Sequence, residues 1–237
     1  MKKLNVFGHE VTVFDGVSDA AKKILDANCG KPTILTALNP EKVEKARTSS
    51  ELKNVLDNSD ILYPDGIGIV KAIGCKYNIK TNRVPGCELW EEIIKSSYSR
   101  GLKVYLVGAQ PSVIENTVTL ASQKYKANIV GYTHGINLDE KKVIEDIISS
   151  GAEFVSVAMG TPKQELFIIK CKEMGVNALM MGVGGTYDVF TGNVKRAPRF
   201  WCNMKLEWLF RLLSQPTRLG RQVNLVKFLL RLVLRKY

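Results

Sequence analysis

Six short apolar runs, at residues 33–38, 61–63, 104–107, 129–132, 154–158 and 178–181, each give way to glycine, proline or polar residues. Around and between them lie segments of helical period. Residues 16–27 place Val17, Ala20, Ala21, Ile24 and Leu25 on one face, and residues 41–57 and 111–125 also read as helices. Further helices are expected after the runs at 129–132 and 154–158. Strands alternating with helices of this length leave few folds open. They predict an α/β chain with a Rossmann-like parallel sheet covered by helices on both faces. Alternating residues in 4–14, around His9 and Glu10, predict a hairpin ahead of that sheet.

Parallel sheets of this kind bind ligands beyond the carboxyl ends of their strands. The polar and glycine residues just past the runs are therefore the candidate site: Thr36, Asn39, Asp65, Gly108, His134, Gly160, Gln164, Gly184 and Asp188. After Pro198 the alternation stops. Residues 199–213 read as one helix, Pro216 breaks it, and 217–235 read as another. This divides the chain into an α/β domain, 1–197, and a helical appendage, 198–237.

The net charge of +11 points to an anionic partner: nucleic acid, a phosphorylated metabolite or a membrane surface. Eleven Lys and Arg fall between Lys195 and Lys236, so the anionic partner is expected at the C-terminal end. Lys227, Arg231 and Arg235 form a cationic stripe on a strongly apolar final helix, which suits a membrane interface. A terminal helix packed on its own domain, or on a second subunit of a homo-oligomer, has the same pattern. No run is long enough to span a bilayer, and the Met1-Lys2-Lys3 start does not lead into a signal-like apolar stretch. The five cysteines are scattered and lack CxxC spacing, so they read as buried thiols in a reducing compartment.

The stretch 182–221 concentrates the chemistry. Gly182, Gly184 and Gly185 end a strand where a ligand can approach backbone closely. Asp188 follows, then Lys195, Arg196 and Arg199, and later Arg211, Arg218 and Arg221. Backbone amides, one carboxylate and spaced guanidinium groups suit a phosphorylated ligand with a hydroxylated partner. Tyr187 stands where a dinucleotide fingerprint needs its last glycine, and no P-loop occurs. Two isolated histidines and the lack of an Asp-x-Asp pair leave no metal site, so no metal cofactor is expected. Thr161 reads as a helix N-cap, Pro162 as the first helical residue and Gln164 as the capping-box partner. The same helix terminus would offer free amides to a phosphate. An aspartate between proline and glycine, such as Asp65, ordinarily serves its turn, and a loop arginine such as Arg83 is ordinarily just solvated.

Several of these residues form an ordered set: Asn39-Pro40-Glu41, Asp65-Gly66-x-Gly68, Arg83-x-x-Gly86, the run from Gly160 to Glu165, and the run from Gly182 to Asp188. Arg196-Ala197-Pro198, Leu206 to Arg211 and Pro216-x-Arg218-x-x-Arg221 complete it. The set resembles the WecG/TagA/CpsF glycosyltransferases over nearly the whole chain. That resemblance implies an inverting transferase, peripheral on the cytoplasmic face of the plasma membrane. It would move an N-acetylmannosamine-type sugar from UDP to undecaprenyl-diphosphate-linked N-acetylglucosamine, for teichoic acid, capsule or a related polymer. Domain 1–197 would then bind the nucleotide sugar, and 198–237 would bind the membrane and close the site. By motif position, Asp65 would be the general base and Arg83 a contact to sugar or phosphate. Asn39, Gln164 and Asp188 would line the UDP pocket with Gly184 and Gly185, while Arg211, Arg218 and Arg221 would engage diphosphate. Some members carry threonine two residues before the pocket asparagine. Here Ala37 holds that place and Thr36 stands beside it. The alternative from another class is a basic nucleic-acid-binding α/β protein, but no aromatic-and-basic strand pattern or recognition helix supports it.

Overall fold

The computed structural model describes residues 1–28, 30–195, 198, 200–201 and 219–234. Its centre is one eight-stranded sheet in the order β1-β2-β4-β3-β8-β7-β5-β6. The strands are β1 (Lys2–Val6), β2 (His9–Val13), β3 (Thr33–Leu38), β4 (Ile61–Pro64), β5 (Lys103–Gly108), β6 (Asn128–Thr133), β7 (Phe154–Ala158) and β8 (Leu179–Gly182). All neighbours pair in parallel except β1 and β2. The expected hairpin is thus present as the sheet's antiparallel edge. Val6 pairs with His9, and the two turn residues Phe7 and Gly8 both have positive φ, at 54° and 82°. Such turns match the twist of the flanking strands.

The helices cover both faces, as the alternation predicts. On one face α1 (Val17–Ala27), α5 (Gly86–Arg100) and α6 (Pro111–Tyr125) bury Ile24, Trp90, Ile93 and Ile114 against Leu35, Tyr63 and Leu106. The other face has two core clusters. Helices α7 (Glu140–Ser150) and α8 (Lys163–Glu173) pack Ile144, Ile147 and Phe167 on Val107, Val155 and Met180. Helices α2 (Pro40–Ala46), α3 (Ser50–Asp57) and α4 (Ile67–Tyr77) enclose Leu38, Val43, Val55, Leu62 and Ile69. Among the described residues no helix is long and apolar enough to cross a membrane.

Three local readings are corrected. Residues 41–57 form two helices instead of one: α2 ends at Ala46, and Ser49 caps α3 by accepting from the Leu52 N–H at 3.3 Å. A serine side chain that satisfies a free amide makes a new helix start cheaper than continuation. Helices α4 and α5 went unread. α4 carries Gly68 and Gly74, which lower helix propensity, and its charged residues are Lys71 and Lys76, whereas α5 shows a readable stripe of Leu89, Trp90, Ile93, Ile94 and Ser97. Of the described cysteines, Cys75 is exposed and Cys87 half-buried. Only Cys171 fits the buried reading, and burial pushes its thiol up to about 12. Cys29 and Cys202 lie outside the described residues.

The C-terminal helix, Leu219–Val233, is seated on the α/β domain. Phe228 is fully buried in the cluster of α2, α3 and α4, with its ring 4.9 Å from that of Phe7. Gly68 makes room for it, because a Cβ there would meet Phe228 Cε1 and Pro40 Cγ, each at 2.8 Å. Arg231 Nε lies 2.9 Å from a Glu44 carboxylate oxygen. The described helix beyond residue 198 thus contributes to the core formed by α2, α3 and α4. The opposite stripe of the helix, Val226, Leu229, Leu230, Val233 and Leu234, is exposed.

Candidate active site

A cavity of about 600 Å³ opens at the carboxyl ends of β4, β3, β8 and β7, the middle of the sheet. Asn39, Asp65, Arg83, Gly160, Gln164, Gly184, Gly185 and Asp188 all line it, so these sequence-predicted residues meet at one place. The reason is topological. β3 and β4 arise early in the chain, β7 and β8 late, and parallel pairing of β3 with β8 brings the loops of both pairs to the same edge. Gly108 and His134 follow β5 and β6 at the far side of the sheet and lie outside the cavity lining.

At one end stands Asp65. Its N–H donates to Leu38 O at 3.0 Å, which ties the β4 exit to β3. Arg83 reaches back from the loop before α5. Its Nη2 lies 3.4 Å from Asp65 Oδ1, and its Nε donates to the Asp65 carbonyl at 3.3 Å. Both side chains remain about a quarter exposed, at 24% and 29%. Asp65 thus presents an accessible carboxylate with a fixed cation at its side.

At the other end Gln164 links two loops. Its Oε1 accepts from the Gly160 N–H at 3.1 Å and the Gly184 N–H at 2.9 Å. Its Nε2 donates to Glu165 at 3.0 Å. Gly182 must be glycine for this to fit, since a Cβ there would stand 2.7 Å from Gln164 Nε2. Lys42, Lys45 and Lys195 also line the cavity, Lys42 paired with Glu165 and Lys45 with Glu41. Asp188 lies on the short α9 (Thr186–Phe190), which is pinned by the buried Tyr187 hydroxyl donating to Ser156 O at 2.8 Å. Lysine charge, a glycine loop that lets a ligand approach closely and the dipole of the α8 N-terminus make this end suited to phosphate.

The profile of the glycosyl transferase WecG/TagA/CpsF family matches residues 4–237. The chain belongs to this family. It is a glycosyltransferase, and its cavity is where a sugar donor and an acceptor would meet.

For this glycosyltransferase the structure sorts the remaining expectations. Thr36 lies outside the cavity lining, because strand alternation turns Ala37 to the cavity and Thr36 to the other face. There Thr36 is buried and accepts from Ser59 Oγ at 2.8 Å. Asn39 caps α2 by accepting from the Lys42 N–H at 2.9 Å, so one residue serves both helix and cavity. The capping box at α8 is replaced by a different arrangement. The helix starts at Lys163 with Pro162 as its cap, Thr161 Oγ1 donates to Glu165 at 2.9 Å, and Gln164 is taken up by the two loops. Arg211 and Arg218 lie outside the described residues, as does the side chain of Arg221.

The sequence reading missed the buried pair beneath the cavity. Lys42 Nζ sits 2.8 Å from Glu165 Oε1, with both side chains under a tenth exposed. The partners are 123 residues apart in sequence, so no spacing could signal the pair. Burial pushes the Glu165 carboxyl up, but the Lys42 charge and donors from Lys42, Gln164 and Thr161 outweigh it and hold the group below the ordinary glutamate range. A carboxyl depressed in the folded state contributes stability above its unfolded value, and that contribution is lost as pH falls through the folded one. Tm is therefore expected to drop below the ordinary glutamate range. In Glu165→Gln that acid limb should flatten, as thermal unfolding across pH 3–7 will show (a window set around the usual carboxylate values).

Proposed function

We propose that the protein transfers an N-acetylmannosamine-type sugar from UDP, with inversion, to undecaprenyl-diphosphate-linked N-acetylglucosamine at the cytoplasmic membrane face. The observation that carries this reading is the separation of roles along one cavity. An accessible carboxylate stands past β4, and a glycine loop held by Gln164 stands past β8, with Lys45 and Lys195 also lining the cavity. β4 and β8 flank β3, so their ends are two strand spacings apart, roughly 10 Å. That span suits a nucleoside diphosphate at one end and its sugar at the other.

In the proposed reaction Asp65 takes the proton from the acceptor hydroxyl as that oxygen forms a bond to the anomeric carbon. The bond from that carbon to the diphosphate oxygen breaks from the opposite face, and UDP leaves with the electron pair. Arg83 holds the Asp65 end, while Lys45 and Lys195, beside the glycine loop, stabilise charge developing on the diphosphate. A divalent metal is not required in this scheme. The exposed stripe from Val226 to Leu234, with Lys227 beside it, would rest in the lipid interface where the acceptor is anchored. Product from such a step would enter a teichoic acid, capsule or related surface polymer.

The test is a screen of UDP-sugars against a short-chain lipid-diphosphate-N-acetylglucosamine acceptor in excess EDTA, read as UDP release. An N-acetylmannosamine donor should give the fastest release, undiminished by the chelator. Release that only added Mg²⁺ or Mn²⁺ restores would overturn the metal-free mechanism, and no release with any donor would overturn the transfer reading.

A further inference from the structure

One hydroxyl at this cavity has no hydrogen-bond partner among the described residues. Tyr63 lies on β4 two residues before Asp65, so strand alternation directs both side chains to the same face. The side chain is fully buried, it lines the cavity, and its hydroxyl makes no hydrogen bond. Gly86 lies directly over it. A Cβ added there would stand 3.0 Å from the Tyr63 hydroxyl and 3.6 Å from Asp65 Oδ2. The phenol oxygen and the carboxylate therefore border one small space beneath the first turn of α5.

Burial of an unpaired hydroxyl costs free energy, and folded proteins leave very few such groups. Phenylalanine would fill the same volume in the core of Leu35, Trp90 and Ile93 without that cost. Other buried tyrosine hydroxyls find partners: Tyr187 bonds Ser156, and Tyr105 bonds Thr133 at 3.0 Å. Burial, with the Asp65 charge next, pushes the Tyr63 phenol well above its ordinary value, so it stays protonated and acts as a donor.

Resting on the transfer reading above, we infer that Tyr63 is a substrate-positioning residue. Its hydroxyl donates a hydrogen bond to an oxygen of the sugar held against Asp65, once a small shift of the Gly86 turn opens the phenol to the cavity. That oxygen belongs either to the sugar being transferred or to the acceptor sugar, and the two sources share the chemistry of a neutral oxygen acceptor. The bond fixes the reacting hydroxyl or the anomeric carbon relative to the Asp65 carboxylate. The phosphate end past β7 and β8 does not depend on it.

The test is Tyr63→Phe in the full chain, followed by calorimetric titration with UDP, a UDP-N-acetylhexosamine and a short-chain acceptor analogue, alongside turnover and Tm. UDP affinity should match wild type, while affinity for one sugar-bearing ligand and kcat/KM each fall about 3- to 10-fold. Weakening of the UDP-sugar alone assigns the bond to the donor, and weakening of the acceptor analogue alone assigns it to the acceptor. Tm should hold or rise, since no hydrogen-bond partner among the described residues is lost. Unchanged affinities and kcat/KM overturn the inference, as does a fall in Tm that accounts for the lost activity. A wild-type protein that binds neither sugar ligand overturns the transfer reading and this inference with it.

Discussion

Asp65→Asn should depress turnover by about 10²- to 10⁴-fold, the usual contribution of a positioned general base. The substitution keeps the size and most of the shape of the side chain but cannot take a proton from the acceptor hydroxyl at neutral pH. Its structural cost should be small. The Arg83 contact spans 3.4 Å between groups that are each about a quarter exposed, and such pairs contribute about 1 kcal/mol at most. The main-chain bonds that hold the β4 exit, from Asp65 N to Leu38 O and from Val84 N to Pro64 O, survive the change. UDP affinity should also persist, because the Gln164 and Gly184 end is two strand spacings away. Steady-state UDP release, calorimetric UDP binding and Tm together check this. An asparagine variant with near-full activity would remove Asp65 from the mechanism.

Phe228→Ala should destabilise the whole protein by about 3–5 kcal/mol, the range for deleting a buried aromatic ring. For a chain of this size that corresponds to a fall in Tm of roughly 6–20 °C. The ring is fully buried among residues of α2, α3 and α4, and its loss leaves a cavity bounded by Phe7, Pro40 and Gly68. Glu44, whose side chain is 3% exposed, would meanwhile keep its Arg231 partner only if the helix stays in place. Sequence pattern alone suggests that cutting after Pro198 would yield a folded, more soluble core. With Phe228 inside a core cluster, the same cut opens that cluster and strands the Glu44 carboxylate, so the truncated protein should be less stable than the full chain. Because α2 carries Asn39 and Lys42 of the cavity, the loss should also reach the site. Thermal unfolding of Phe228→Ala and of the truncated chain checks both statements. A Tm within about a degree of wild type in both would show that the helix contributes nothing to the core.

Local physics wrote much of this fold into the chain. Apolar runs closed by polar or glycine residues placed β3 and β7 at their observed bounds, since central strands are buried on both faces, and a helical pattern placed α6, which buries one. Proline and glycine at strand exits marked the loops that line the cavity, since those turns need their backbone freedom. The ordered motifs implied Asn39, Asp65, Arg83, Gln164 and Asp188 as site residues, and the sheet brings all five to one cavity. α4 was hidden because two glycines, Gly68 and Gly74, interrupt its short apolar pattern and lower its helix propensity.

Sequence by itself therefore determined which segments become strands and helices and which strand-end residues can carry chemistry, because those depend on neighbours within one turn or one pleat. Tertiary structure alone decided what depends on strand order and on contacts between distant segments. It set Ala37 toward the cavity and Thr36 away from it, and it paired Lys42 with Glu165 across 123 residues. It also left the Tyr63 hydroxyl without a hydrogen-bond partner among the described residues, and it packed Phe228 of the last helix against Phe7 of the first turn. Burial is the physical reason: whether a polar side chain is satisfied or an apolar one covered is fixed only when remote elements close over it.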